Sequence, residues 1–116
     1  MRAKSTTQQG RDHEQAMEKL FKFDNARRSK SSGAQWNDNV DVSAESFVME
    51  CESTAQASYS LKREFWEEVV SKSTWEKIPA IGIEFRDLDP RKTVQLVVMD
   101  ANDVASMIER LKEYER

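Results

Sequence analysis

Asp41, Glu50 and Glu52 are carboxylates spaced closely enough to serve a divalent metal ion. Phe47-Val48-Met49-Glu50-Cys51-Glu52 alternates as a strand does, with Phe47, Met49 and Cys51 on one face and Val48, Glu50 and Glu52 on the other. Asp41 lies in Val40-Asp41-Val42, a run that can pair with this strand through a turn at Ala44, Glu45 and Ser46, bringing Asp41 near Glu50. Hard cations such as Mg²⁺ or Mn²⁺ take carboxylate and carbonyl oxygens, so Asp41, Glu50 and the backbone carbonyl of Cys51 form the expected ligand set, with Glu14 as a fourth. A metal held there supplies what phosphodiester hydrolysis requires: an activated water, neutralised phosphate charge and a stabilised leaving oxygen. The same spacing also suits the solvent face of an antiparallel strand, and spacing by itself does not choose between the two.

These residues need elements to position them. Residues 1–9 read as a polar, disordered tail, and 10–116 as a single domain. A first helix is expected from Arg11 to about Asp24 on the spacing of Ala16, Met17, Leu20 and Phe21, and it carries Glu14. Arg27 and Arg28 begin a short edge strand that runs into a polar, basic loop ending near Gly33. After the acidic hairpin, Ser60 is the expected N-cap of a second helix with Leu61, Phe65, Trp66, Val69 and Val70 as its apolar stripe. Ala80 to Phe85, opened by Pro79, reads as an interior strand, with Val94 to Met99 as its neighbour. Asp100 caps a last helix whose stripe is Val104, Met107, Ile108 and Leu111. The order implies an α/β fold, a central mixed sheet with helices on both faces.

Composition narrows the partners. The net charge of −3 hides an asymmetry: residues 1–33 carry eight basic and four acidic side chains, while the remainder carries ten basic and seventeen acidic. A basic segment on an acidic body is compatible with phosphate contacts from one face, and equally with a solvated mixture of charges. The lone cysteine, Cys51, and lone histidine, His13, exclude a disulfide framework and a Cys/His zinc site. Cys51 is expected to face the core and be inert, His13 to lie on the helix surface, and Trp36, Trp66 and Trp75 to serve core or interface. With no long apolar run and no signal peptide, a soluble cytoplasmic protein without a membrane association is expected. Only Gly10, Gly33 and Gly82 occur, so no glycine-rich phosphate loop is present and no small-molecule cofactor is expected.

Five short motifs together carry a family resemblance: Gly10-Arg11-Asp12-His13-Glu14, Arg28 through Ala34, Val40-Asp41-Val42, Val48 through Thr54, and Ser58 through Lys62 with Ile78 through Phe85. In this order they resemble the small Holliday junction resolvases of archaeal and phage type, within the PD-(D/E)XK nuclease superfamily. The resemblance implies a restriction-endonuclease-like core and a homodimer that nicks opposing strands of a four-way DNA junction with Mg²⁺ or Mn²⁺. It places the protein in a bacterial or archaeal cell or a phage-infected host. Glu14, Asp41, Glu50 and Glu52 then occupy the catalytic positions, while Arg11, Arg28, Lys30, Ser31, Ser32 and Lys62 hold DNA phosphates. Glu52 departs from the pattern, because the family has a catalytic lysine there. Glu52 is then an extra ligand or general base, or Lys62 or Lys30 replaces the ammonium, or the fold binds branched DNA without cutting it.

Overall fold

A strand that alternates apolar and polar residues after its buried start forms the centre of this molecule, and a strand that is apolar up to Glu84 lies beside it. The computed structural model describes residues 2–29 and 40–115, with side chains from Gln8 onward. In chain order the elements are α1 (Arg2–Leu20), a 3-10 turn at Lys22–Asp24, β1 (Arg27–Arg28), β2 (Val42–Ser43), β3 (Phe47–Thr54) and α2 (Arg63–Lys72). There follow β4 (Ile78–Phe85), a second 3-10 turn at Pro90–Lys92, β5 (Val94–Val98) and α3 (Ala101–Tyr114). The strands form one mixed sheet in the order β1-β2-β3-β4-β5, antiparallel except for the β3/β4 pair. That parallel pair requires a crossover, and α2 supplies it.

The two faces of the sheet bury different sets. Phe47 and Met49 of β3, Val42 of β2 and Ala80 of β4 pack beneath Met17 of α1. Ile81 and Ile83, the alternate residues of β4, pack beneath Val69 of α2 together with Phe65, Trp66 and Val98. Residues 80–84 of β4 are all buried, as a strand covered on both faces must be. Gly82 is required where the first layer is tightest, because a Cβ there would sit 2.8 Å from the Met49 sulfur and 3.1 Å from the Met17 methyl. The hairpin between β2 and β3 closes where expected: the Ala44 N–H donates to the Phe47 carbonyl, and Val42 lies opposite Met49.

Several elements depart from expectation. α1 begins at Arg2, so residues 2–9, expected as a disordered tail, are helical; Lys, Gln, Ala and Arg are good helix formers, and extending a formed helix costs far less than nucleating one. α2 begins at Arg63 with Lys62 at its cap, not at Ser60, and no side chain caps it. Leu61 therefore falls before the helix and is exposed, and Trp75, expected in core or interface, is 93% exposed just beyond it, which excludes it from the core. α3 starts as expected, with the Asp100 carboxylate accepting the Asn102 N–H at 2.8 Å, yet Met107, Ile108 and Leu111 stay exposed. None of the described helices is long and apolar enough to cross a membrane. Lys30, Ser31, Ser32 and Trp36 lie outside the described residues.

Candidate active site

The register between β2 and β3 places Asp41, one residue before β2, opposite Glu50. β2 ends its pairing there, and the Asp41 carboxylate takes over as the acceptor: its Oδ2 receives the Cys51 N–H at 2.8 Å. The N–H and carbonyl of one strand residue point to the same side, so the Cys51 carbonyl also faces the Asp41 edge of β3. Glu50 and Glu52 project from the α2 face of β3, as the alternation predicts, and Glu14 approaches from α1.

All three glutamates hold their protons more tightly than usual. Burial, then the neighbouring Asp41 charge, raises Glu14 to about 7, against the opposing fields of Arg28 and Arg11. Burial and Asp41 likewise raise Glu50 to about 7, with Lys72 opposing. Glu52 is raised for the same two reasons, while a hydrogen bond from the Tyr59 hydroxyl works the other way. Burial, followed by the same acids, pushes the Cys51 thiol up, which keeps it protonated and unreactive, as expected for a core-facing cysteine. Asp41 is thus the shared neighbour of groups from one strand and one helix.

Each of these carboxylates has a protein donor on it or burial around it. Glu50 Oε2 is 3.4 Å from the Lys72 ammonium, with the two side chains only 13% and 26% exposed. Lys72 is the only cation at ion-pair distance from any of the four acids among the described residues. No group of three or more His, Cys, Asp or Glu side chains among the described residues is arranged to hold a metal ion. The donors are nonetheless carboxylates and a carbonyl, the oxygen set that suits Mg²⁺ or Mn²⁺ and not a soft ion. No family model, curated protein or solved structure matches this chain significantly. The reading of the site rests on its own geometry and on the motifs.

The residues expected to hold DNA are dispersed. Arg11 is exposed on α1; Arg28 is tied to Glu18 by its side chain and its backbone N–H, both at 3.2 Å. Lys62 is exposed at the start of α2, the end of that helix remote from Lys72, and makes no ion pair among the described residues.

His13 contradicts its expected surface position. It is fully buried, and neither ring nitrogen has a hydrogen-bond partner. Burial lowers its pKa, against the fields of Glu84 and Asp41, so the ring is neutral at pH 7. It lies four residues before Met17 and shares its helix face, a spacing visible in the sequence. Lys72 was equally legible, three residues after the buried Val69 on the sheet-facing stripe of α2. Tyr59, the donor to Glu52, sits in an irregular segment where no periodicity points to it.

Proposed function

We propose that this protein is a metal-dependent endonuclease of PD-(D/E)XK type that acts on branched DNA, with a four-way junction as its leading substrate. The observation that carries the reading is that Glu14 of α1 and Glu50 and Glu52 of β3 all stand in the field of Asp41 at the edge of β2, where desolvation and repulsion by Asp41 disfavour their ionisation. A cation is the natural remedy for such a cluster. Asp41, Glu50, Glu14 and the Cys51 carbonyl would hold Mg²⁺ or Mn²⁺, which supplies an activated water and neutralises phosphate charge when bound. Asp41 also pins β3 through the Cys51 N–H, which fixes the spacing between the two strands that carry the acids. Arg11 and Arg28, whose fields already reach Glu14, flank the site and would meet the DNA backbone with Lys30, Ser31, Ser32 and Lys62.

Paired nicking needs two copies of the chain. The exposed apolar residues of α3 and β5, including Ile108, Leu111, Leu96 and Val97, support a homodimer. A second reading, a module that binds branched DNA without cutting, is favoured by Glu52 at the expected lysine position and by the absence, among the described residues, of three acids arranged to hold a cation.

Incubating the protein with a four-way junction separates these readings. Cleavage is expected with Mg²⁺ or Mn²⁺ and none in chelator. Asp41→Asn is expected to slow it by about 10²-fold or more while a gel shift shows junction binding retained. Junction binding with no cleavage under any divalent ion would leave the binding module as the function.

A further inference from the structure

We infer that Lys72, reaching across from α2, is the cation that faces the scissile phosphate in this site. This rests on the nuclease reading and adds to it the residue that offsets charge on the substrate. A phosphodiester that approaches Glu14, Asp41, Glu50 and Glu52 meets a strongly repulsive field. Among the described residues, only Lys72 brings a positive side chain to ion-pair distance of that cluster.

Three features of its placement suit the role. Val69, fully buried one turn earlier, fixes the helix against the sheet, so the lysine stem starts from a rigid base. The lysine side chain is 26% exposed, sheltered enough for its charge to be felt and open enough to meet a substrate. It also has two alternative carboxylates, Glu50 at 3.4 Å and the exposed Glu68 at 3.7 Å. A flexible four-carbon stem with three donors can therefore leave Glu50 for a phosphate oxygen without losing every partner.

In hydrolysis a water oxygen bonds to phosphorus, and the bond from phosphorus to the leaving deoxyribose oxygen breaks with its electron pair. The water's proton passes to a carboxylate of the cluster, and the leaving oxygen takes a proton from solvent. Lys72 is unchanged at the end; it donates hydrogen bonds to a non-bridging phosphate oxygen as negative charge builds there.

Position 52 provides the decisive control. Glu52 lies two residues beyond Glu50 on the same face of β3, so a lysine placed there enters the same site from the strand. The test measures single-turnover cleavage of a four-way junction in Mg²⁺, junction affinity in chelator, and melting temperature. It compares the parent protein with Lys72→Met, Lys72→Arg and the double variant Lys72→Met/Glu52→Lys. Lys72→Met is expected to slow cleavage about 10²- to 10³-fold with junction affinity held within about threefold, and the double variant to recover to within about tenfold of the parent. Lys72→Arg keeps the ion pair to Glu50 and is expected to be slowed about tenfold, because a planar guanidinium does not reproduce a compact ammonium. Parental rates in Lys72→Met, or a double variant no faster than the single one, would overturn the inference. If Lys72→Met does not fold, a parental rate in Lys72→Arg does the same. A parent protein that cuts nothing overturns the nuclease reading beneath it instead.

Discussion

Two groups of acids lie on this sheet, and they differ in what stands beside them. Glu84 of β4 is buried, 4% exposed, and fully provided for: Ser53 Oγ and Gln95 Nε2 each donate at 2.6 Å, and the Arg86 guanidinium is 3.6 Å away. Arg86 in turn reaches Asp12 at 3.1 Å and the Gln9 carbonyl at 3.3 Å, and the Arg86 and Gln8 hydrogen bonds hold the Asp12 carboxyl below its ordinary value. Around Asp41 the reverse holds. Glu14, Glu50 and Glu52 each stand in the field of Asp41 and have raised proton affinities, and among the described residues only Glu50 has an ammonium at ion-pair distance. Acids that serve the fold are supplied with donors; on the proposed function, the acids left short of positive charge await a cation from outside.

The contrast can be broken most visibly at Glu84. Glu84→Ala strands Arg86, Ser53 and Gln95 in a buried setting, and urea unfolding should show a loss of about 2 to 4 kcal/mol, moderated by the partial exposure of Arg86. Wild-type stability in that variant would remove the distinction between the two groups.

Asp41→Asn should move stability the other way, because it relieves repulsion while its side-chain oxygen still accepts the Cys51 N–H. Glu14 and Glu50 titrate near 7 when folded against an ordinary 4.5, so the folded chain holds protons that the unfolded chain has released. Stability should therefore fall as pH rises from about 4.5 to about 7 and level off above. Melting curves across that window should show the slope in the parent, a shallower slope in Asp41→Asn, and recovery above pH 7 on adding Mg²⁺ to the parent.

The smallest effect belongs to His13, which stands in the fields of both groups. Its lowered pKa has the opposite sign in linkage: below about 6.5 the unfolded chain takes up a proton that the buried ring refuses, so this term weakens the fold as pH falls. His13→Leu removes two unpartnered nitrogens and should gain about 1 kcal/mol, more at pH 5.5 than at pH 8. A gain that does not vary with pH would mean that His13 titrates normally.

Much of this arrangement was legible in local pattern. Alternation along Phe47 to Glu52 gave the strand faces, the turn residues gave the Asp41–Glu50 register, and Asp100 announced α3. What pattern could not show was pairing across the fold. That Lys72 meets Glu50, twenty-two positions apart in sequence, depends on how α2 lies over β3. The start of α2 was misplaced because Ser60 is a good cap by type, yet the chain stays extended through Lys62. His13 is buried against the surface position expected of it, and its four-residue spacing from Met17 is the signal that points inward.

A single turn of α1 carries Asp12 to the Arg86 network, His13 to the buried layer, and Glu14 to the Asp41 cluster. Each residue of a helix is rotated by about 100° from the last, so one residue inserted between this turn and the buried Met17 would misdirect all three at once. Substitutions in α1 can be tolerated one by one, but an insertion or deletion between Gly10 and Met17 cannot, and natural variation in the length of this chain is expected to fall elsewhere.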